Sequence, residues 1–369
     1  MYKSPLAKTT NILLFVILIT SALYFAKPFL VPLTFAAILA MLFVPLSKKM
    51  EEKGVHKAIS AIICILLLLF IFFGIGSLLA WQISDMSKDM TNIQPKLKEF
   101  LSNIETYIAN TFGIDAQRQE QIMKEQSKSG GSSVGALTKI TGSIMSVFVN
   151  AILVLVYMFL FMYFRGHLKK FLLKVAPEDQ KQNIGQLTHE APKVSQQYIL
   201  GLGMMIGTLW ILYGIGFTIV GVKNALFFAI LCGILEIVPF IGNITGTALT
   251  VLMALVTGGG SNLVIGILIT YGLVQFIQTY ILEPLVVGDE VNINPLITIA
   301  GIVAGESIWG IPGMILAIPL LGILKIVCDH FEPLKPYGFL LGQEKTKKTS
   351  SVATKIKNWK KKFANPTSS

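Results

Sequence analysis

The sequence predicts an all-α polytopic membrane protein with about six full transmembrane helices, two broken helical segments and a helical insertion outside the cytoplasm. Hydrophobic residues make up 53% of the 369 positions, and charged residues make up only 14%. Soluble proteins carry roughly 25% charged residues, so most of this chain must lie in lipid. The apolar residues are also gathered into runs long enough to cross a hydrocarbon core of about 30 Å.

The apolar runs define the candidate spans, because a transmembrane helix needs about 20 residues. They cover 10–26, 29–46, 58–81, 140–164, 197–221, 225–256, 262–282 and 296–328. The first run follows Lys3 and Lys8 and could be a signal peptide. A second run begins at Phe29, however, which favours a hairpin of two spans through Lys27 and Pro28.

The distribution of lysine and arginine predicts the orientation, because these residues are enriched in cytoplasmic loops. With the N-terminus inside, the inner side receives most of the basic residues, including the lysine-rich tail. The basic residues that remain outside lie mainly in one long loop, where acidic residues accompany them. Both termini are therefore expected to be cytoplasmic.

Two runs are too long for simple spans, because a straight helix over 225–256 or 296–328 would be about 48 Å long. Proline and glycine interrupt each run near its middle. The interrupting residues are Pro239 and Gly242 in the first run and Gly310, Pro312 and Gly313 in the second. Each run is either a kinked, tilted helix or a re-entrant hairpin of two half-helices. Both must be of the same kind, since otherwise the basic tail would lie outside.

The two broken runs also match each other at a shift of 70 residues. Asn224 and Asn294 each begin an apolar stretch, and Glu236 and Glu306 each follow 12 residues later. If the breaks are hairpin tips, the two copies form an inverted repeat, which many secondary transporters use to build a midplane site. The alternative is a chance match between two apolar stretches.

Three carboxylates, Glu236, Glu283 and Glu306, lie within or close to the apolar runs of the second half. Ionisable groups in a membrane are costly and mark functional sites. No basic residue adjoins them in these runs, so a proton, a metal cation or helix N-termini must compensate their charge. Polar side chains expected at the same site are Asn243, Thr245, Gln275, Gln278 and Ser307. Alternatively, Glu236 and Glu306 cap helix ends or face an aqueous vestibule, and Glu283 is interfacial.

The remaining polar segments are an insertion and a tail. An apolar stripe at spacings of three and four in the insertion predicts an amphipathic helix packed on its own chain or on another protomer. The tail places apolar residues opposite lysines, which predicts a helix on the anionic inner leaflet, with nucleic-acid binding as the weaker alternative.

The sequence divides into five expected domains. The first three are the three N-terminal spans at 1–81, the extracytoplasmic region at 82–138, and the fourth span with a basic loop at 139–196. The last two are a transport core at 197–332, which contains the repeats 197–256 and 262–328, and the tail at 333–369.

Several motifs resemble the autoinducer-2 exporter family, whose members are also described as PerM-type permeases. They are Glu236-Ile-Val-Pro239-Phe-Ile-Gly242, Asn294-Pro295-Leu, Gly310-Ile-Pro-Gly313-Met-Ile-Leu-Ala-Ile-Pro319 and the closing Leu340-Leu341-Gly342. The resemblance extends over nearly the whole chain. This chain departs from it at Gln278 and Tyr280, in a span where the family commonly has glutamate and asparagine.

The resemblance implies a multi-pass transporter of the bacterial inner membrane that forms a homo-oligomer, with a pentamer as the candidate size. It implies export of a small furanone signal such as autoinducer-2, or exchange of sodium for protons, without a cofactor. The departure at Gln278 and Tyr280 leaves the substrate and the coupling ion open.

Three functional classes fit the sequence. An ion-coupled secondary transporter of a small polar solute or a cation is favoured by the two broken segments with one glutamate each and by the lack of a GxxxxGK[ST] motif. An oligomeric passive channel and a non-transporting membrane scaffold are the alternatives. Enzyme activity is not expected, because the spans contain no paired aspartates, Ser/His pair or metal-ligand spacing.

Overall fold

The computed structural model describes residues 5–87, 102, 133–239, 241–287 and 293–343. Within these residues the chain is helical and contains no named β-strand. Six of the described helices are long and apolar enough to cross a membrane. Large apolar side chains cover their outer surfaces, for example Phe72 and Phe73, which are 65% and 76% exposed. These features confirm the predicted class of an all-α polytopic membrane protein.

Most helices follow the predicted runs, but two helices extend well beyond theirs, so most of the basic loop predicted between 164 and 197 is helical. They are α1 (Pro5–Phe25), α2 (Lys27–Glu52), α3 (Lys57–Ser87), α4 (Ser133–Val175), α5 (Lys181–Val220), α6 (Ala225–Leu235), α7 (Ile241–Val256), α8 (Ser261–Ile277), a π-helical segment (Gln278–Val287), α9 (Pro295–Trp309), α10 (Ile311–His330) and α11 (Lys335–Leu341). Only Ala26 separates α1 from α2, and its N–H donates to the carbonyl oxygen of Ala22 at 2.9 Å while its own carbonyl oxygen accepts from Leu30 at 2.8 Å. The chain therefore breaks between the two helices at Lys27 and Pro28, but the two described helices do not pack along each other as the predicted hairpin of two spans requires. The six long helices include α10 but not α1, whose apolar part, Thr9–Phe25, is shorter.

Helices α2, α3 and α4 form one bundle around small and sulfur-containing side chains. Ala36 and Ala40 of α2 are buried against Ala61 and Cys64 of α3 and Met158 of α4. Small residues let transmembrane helices approach closely, which strengthens their packing in the absence of a hydrophobic driving force.

A polar group of four residues, here called the Glu51 cluster, joins these three helices at one end. Glu51 Oε1 accepts hydrogen bonds from Ser47 at 2.9 Å and from Ser60 at 3.1 Å. Glu51 Oε2 pairs with Arg165 Nη2 at 2.5 Å, and Arg165 Nη1 donates to Ser47 at 3.0 Å. Both carboxylate oxygens of Glu51 therefore have partners.

The first broken run folds into two helices that lie side by side, α6 and α7. A Cβ atom at Gly246 would lie 3.1 Å from the Cα of Cys232, and one at Gly242 would lie 1.7 Å from the carbonyl oxygen of Leu235. Such close approach requires glycine. The run is therefore a helical hairpin and not one kinked helix.

The second broken run, α9 and α10, folds in the same way. A Cβ atom at Gly313 would lie 1.9 Å from the carbonyl oxygen of Gly305. The chain reverses at Gly310, with φ 70° and ψ −148°, a conformation that is essentially restricted to glycine. Both broken runs are therefore helical hairpins.

The two hairpins pack on α5 and point in opposite directions along it. The first follows the end of α5 at Val220, and its Gly233 lies against Trp210, nearer the middle of α5. The second ends beside the start of α5, where Asn183 Nδ2 donates to the carbonyl oxygen of His330 at 3.0 Å. Their tips therefore approach each other, and Val238 at the first tip packs against the buried cluster of Ile302, Met314 and Ala317 in the second hairpin.

Two sequence predictions concern residues outside the described part of the chain. Most of the insertion 82–138 lies there, at 88–101 and 103–132, and so does most of the tail, at 344–369.

Candidate functional site

Polar side chains from four elements meet at the tip of the first hairpin. This group, here called the Glu236 cluster, comprises Tyr213 of α5, Glu236 at the tip, Asn243 of α7, Gln275 of α8 and Gln278 of the π-helical segment. Asn243 and Gln278 are 6% and 2% exposed. The cluster is therefore a buried polar region inside apolar helices.

Glu236 and Gln278 form a direct pair. Gln278 Nε2 donates to Glu236 Oε1 at 2.7 Å. The other two oxygens of the pair, Glu236 Oε2 and Gln278 Oε1, are buried and have no hydrogen-bond partner among the residues that the structure describes. Buried polar atoms are nearly always hydrogen-bonded, so two unpaired oxygens on adjoining side chains indicate room for a donor or a cation.

Asn243 links α5 to α8. The Tyr213 hydroxyl donates to Asn243 Oδ1 at 3.0 Å, and Asn243 Nδ2 donates to Gln275 Oε1. Gln275 Nε2 in turn donates to Thr279 Oγ1 at 3.4 Å. These bonds hold the start of α7 against both neighbouring helices.

The local sequence explains this placement of Glu236. Proline has no N–H group and disfavours a helical conformation in the residue before it, so Pro239 prevents α6 from continuing into α7. Glu236 therefore lies at the C-cap of α6, where its N–H donates to the carbonyl oxygen of Cys232 at 3.1 Å. From this position its side chain reaches Gln278.

The two glutamines lie at the junction of α8 and the π-helical segment, which begins at Gln278. Side chains three residues apart lie on the same face of a helix. From that face Gln275 contacts Asn243 and Gln278 contacts Glu236.

The charge of Glu236 is not neutralised by a basic side chain. In the described part of the chain Glu236 forms no ion pair, and the charged group that interacts with it is the carboxylate of Glu283. Buried charges in proteins are normally paired or bind metal ions. The site therefore favours a positively charged or hydrogen-bond-donating ligand.

The other predicted binding residues are exposed, and of these Glu283 alone interacts with Glu236 within the described part of the chain. Glu306 and Ser307 are exposed near the end of α9, where Ser307 donates to the carbonyl oxygen of Val303 at 2.9 Å. Thr245 is exposed and donates to the carbonyl oxygen of Ile241 at 2.7 Å. Glu283 is exposed in the π-helical segment. The structure thus brings together Glu236, Asn243, Gln275 and Gln278.

The predicted site residues did not include Tyr213. It lies on the most buried face of α5, in the series Met205, Leu209, Tyr213 and Phe217. A tyrosine at a helical spacing of four among buried apolar residues needs a partner for its hydroxyl, and that spacing was the available signal. Thr247 of α7, whose buried hydroxyl has no partner, is a further polar group on the buried side of α7.

An apolar groove lies beside the cluster but does not include it. It has a volume of about 870 Å³ and lies between α3, α5 and α6, with Leu78, Trp210 and Ile230 among its lining residues. It contains no convergent polar groups of the kind that orient a polar ligand. The Glu236 cluster is therefore the better candidate for a site that binds an ion or a polar solute.

Comparison with known proteins identifies the family. A family model described as AI-2E family transporter matches residues 13–332. YrrI of Bacillus subtilis is 23% identical over 314 residues, which cover 83% of this chain and 87% of YrrI. YhhT of Escherichia coli K12 is 22% identical over 341 residues, which cover 90% of this chain and 93% of YhhT. Both relatives are named as candidate transport proteins. The chain belongs to the AI-2E transporter family of multi-pass membrane proteins.

Proposed function

We propose that the protein is an ion-coupled secondary transporter of the bacterial inner membrane and that the Glu236 cluster binds the transported ion or small polar solute. The observation that carries the proposal is the buried Glu236–Gln278 pair, with two unpaired oxygens and no basic partner among the described residues. Family membership and the names of the relatives support transport as the general activity.

The energetic cost of the cluster supports a role in binding. Leaving a buried acceptor unpaired costs about 1–3 kcal/mol, and more for a charged group. A purely structural pair would be more stable with apolar side chains of similar size. A ligand that supplies the missing donor or charge recovers this energy when it binds.

The two hairpins provide the moving parts in this proposal. Broken helices at inverted positions carry the sites of many secondary transporters, and alternating access follows from motion of one repeat against the other. Here the tip of the first hairpin carries Glu236 and contacts the second hairpin through Val238. Movement at this contact would open the cluster to one side of the membrane.

Coupled flux in everted vesicles tests the proposal. A pH-sensitive dye is followed after addition of sodium, lithium or potassium, and the organic solutes tested next are small furanone signals. We expect a cation-induced or solute-induced proton flux that Glu236→Gln abolishes. Glu306→Gln is the matched control, because Glu306 occupies the corresponding sequence position but is exposed, and it should retain the flux.

If Glu236→Gln leaves the flux of every tested substrate unchanged, the assignment of the site is contradicted. Conductance in planar bilayers without uphill transport would instead indicate the passive channel. Unimpaired function in both glutamate variants, with loss on deletion of the insertion, would indicate the scaffold.

The re-entrant nature of the first hairpin is a separate part of the proposal. With both termini cytoplasmic, the α7–α8 connection should face outside, and Gly260→Cys should react with an impermeant thiol reagent added outside. Gly260 is exposed with open space around its Cα, and the native Cys64, Cys232 and Cys328 are buried. Gly166→Cys, next to Arg165, is the control that should react only from inside; labelling of both from one side would contradict this topology.

A further inference from the structure

The unpaired oxygens of the Glu236 cluster belong to two side chains that already share one hydrogen bond. Gln278 Nε2 donates to Glu236 Oε1 at 2.7 Å, while Glu236 Oε2 and Gln278 Oε1 have no partner in the described part of the chain. An ionised carboxylate offers only acceptors, whereas a protonated carboxyl group offers one acceptor and one O–H donor. A primary amide likewise offers an acceptor and donors. The two groups are therefore complementary at both positions only when the carboxyl group carries a proton.

We propose that Glu236 and Gln278 form a proton-binding carboxylic acid–amide pair, in which Gln278 Nε2 donates to Glu236 Oε1 and the protonated Oε2 donates to Gln278 Oε1. One proton then satisfies both unpaired oxygens at once. This inference rests on the proposed function, because it names the proton as a ligand of the same site.

The groups that face Glu236 are consistent with a neutral acid. They are Tyr213 from α5, Cys232 from α6 and the carboxylate of Glu283 from the π-helical segment. Tyr271 of α8 is a further titratable neighbour of Tyr213. None of these groups is basic, and the hydrogen of the Tyr213 hydroxyl is already donated to Asn243.

Among the described residues, the charged group that acts on Glu236 is the carboxylate of Glu283, and no charged group of the second hairpin does so. The first tip meets the second hairpin through Val238, which packs against the buried Ile302, Met314 and Ala317. No basic side chain among the described residues compensates the charge of Glu236. A proton bound between Glu236 and Gln278 would compensate it.

Proton release has a structural consequence. When the Oε2–H bond breaks, the proton passes to water and the electron pair stays on the carboxylate. Oε2 and Gln278 Oε1 are then two acceptors without a donor between them. Either the tip of the first hairpin separates from the π-helical segment, or a monovalent cation binds between the two oxygens in place of the proton. Proton and cation thus compete for one pair of oxygens, which links loss of one to binding of the other.

Infrared difference spectroscopy of the full-length protein in liposomes tests the pair directly. In sodium-free buffer at neutral pH, we expect the carbonyl stretch of a protonated carboxylic acid, shifted in D2O. The band should be lost in Glu236→Gln and kept in Glu306→Gln, and it should decrease as sodium is added. Gln278→Leu, which keeps the acid but removes its partner, should shift the band to higher frequency because the carbonyl loses its hydrogen bond.

Loss of only an ionised carboxylate band in Glu236→Gln would overturn the proposal, as would a protonated-acid band that Gln278→Leu leaves unshifted. The second variant keeps the test valid if Glu236→Gln fails to fold. Results from flux and spectroscopy are separable. The band without coupled flux supports the pair and contradicts the transporter, whereas coupled flux without the band supports the transporter and contradicts the pair.

Discussion

Glu51 and Glu236 are both partly buried glutamates at the ends of apolar helices, yet their carboxylate oxygens differ in the number of hydrogen-bond and ion-pair partners. Each oxygen of Glu51 has a partner, and Arg165 compensates its charge. Glu236 has one hydrogen bond, from Gln278, and one oxygen without a partner. A satisfied carboxylate fastens neighbouring helices to each other, whereas an unsatisfied one remains able to bind something else.

The surrounding contacts agree with this distinction. The Glu51 cluster joins α2, α3 and α4, which also share a continuous buried core. The Glu236 cluster lies where the tip of the first hairpin meets the second hairpin, at a contact made through Val238. We therefore infer a fixed bundle at the first cluster and a movable contact at the second.

The largest expected effect follows from removing the cation of the Glu51 cluster. Arg165→Ala leaves Glu51 as an uncompensated charge, and breaking a buried ion pair in this way costs about 3–5 kcal/mol. We expect the low end of that range, because the two side chains remain 22% and 17% exposed. Thermal unfolding in detergent measures the loss.

The matched control is the double variant Arg165→Ala with Glu51→Gln, which removes both charges and should recover part of the stability. A single variant as stable as the unaltered protein would show that the Glu51 cluster does not fasten the bundle.

A smaller effect is expected at the structural edge of the Glu236 cluster. Tyr213→Phe removes the donor to Asn243 Oδ1, and leaving a buried acceptor unpaired costs about 1–3 kcal/mol. The same unfolding assay measures the change. Tyr198→Phe is the control, because Tyr198 is also buried on α5 but forms no side-chain hydrogen bond among the described residues. Equal losses in the two variants would show that the bond to Asn243 contributes nothing.

The smallest effect, and one of opposite sign, is expected at Glu236 itself. The amide of Glu236→Gln can donate to Gln278 Oε1 while its oxygen still accepts from Gln278 Nε2. We therefore expect unchanged stability or a gain of about 1 kcal/mol, together with loss of coupled flux. A loss of stability as large as that of Arg165→Ala would remove the contrast between the two clusters.

The sequence was informative about elements whose signals are local. Long apolar runs, the Pro239 and Gly310 breaks and the basic loops each depend on neighbouring residues, and they predicted the helices and the two interruptions. Glu236 and Gln278 were also singled out, because a carboxylate and an amide are unusual inside apolar runs.

The sequence could not show why the corresponding glutamates of the two broken runs differ. The first interruption is several residues long, and Glu236 lies at the C-cap of α6, where its side chain meets Gln278. The second interruption is the single residue Gly310, so Glu306 remains within α9 on its exposed surface. The pairing of Glu51 with Arg165 was missed for another reason, because the two lie 114 positions apart and no local pattern connects them.

The tip of the second hairpin has a consequence for the order of biosynthesis. Trp309 Nε1 donates at 3.0 Å to the carbonyl oxygen of Leu23, in the last turn of α1, across 286 positions of sequence. The last carbonyl groups of a helix lack donors of their own. The ribosome therefore completes nearly the whole second repeat before this end of α1 obtains the indole N–H. Until then, α1, the first helix to be synthesised, lacks the hydrogen bond from Trp309.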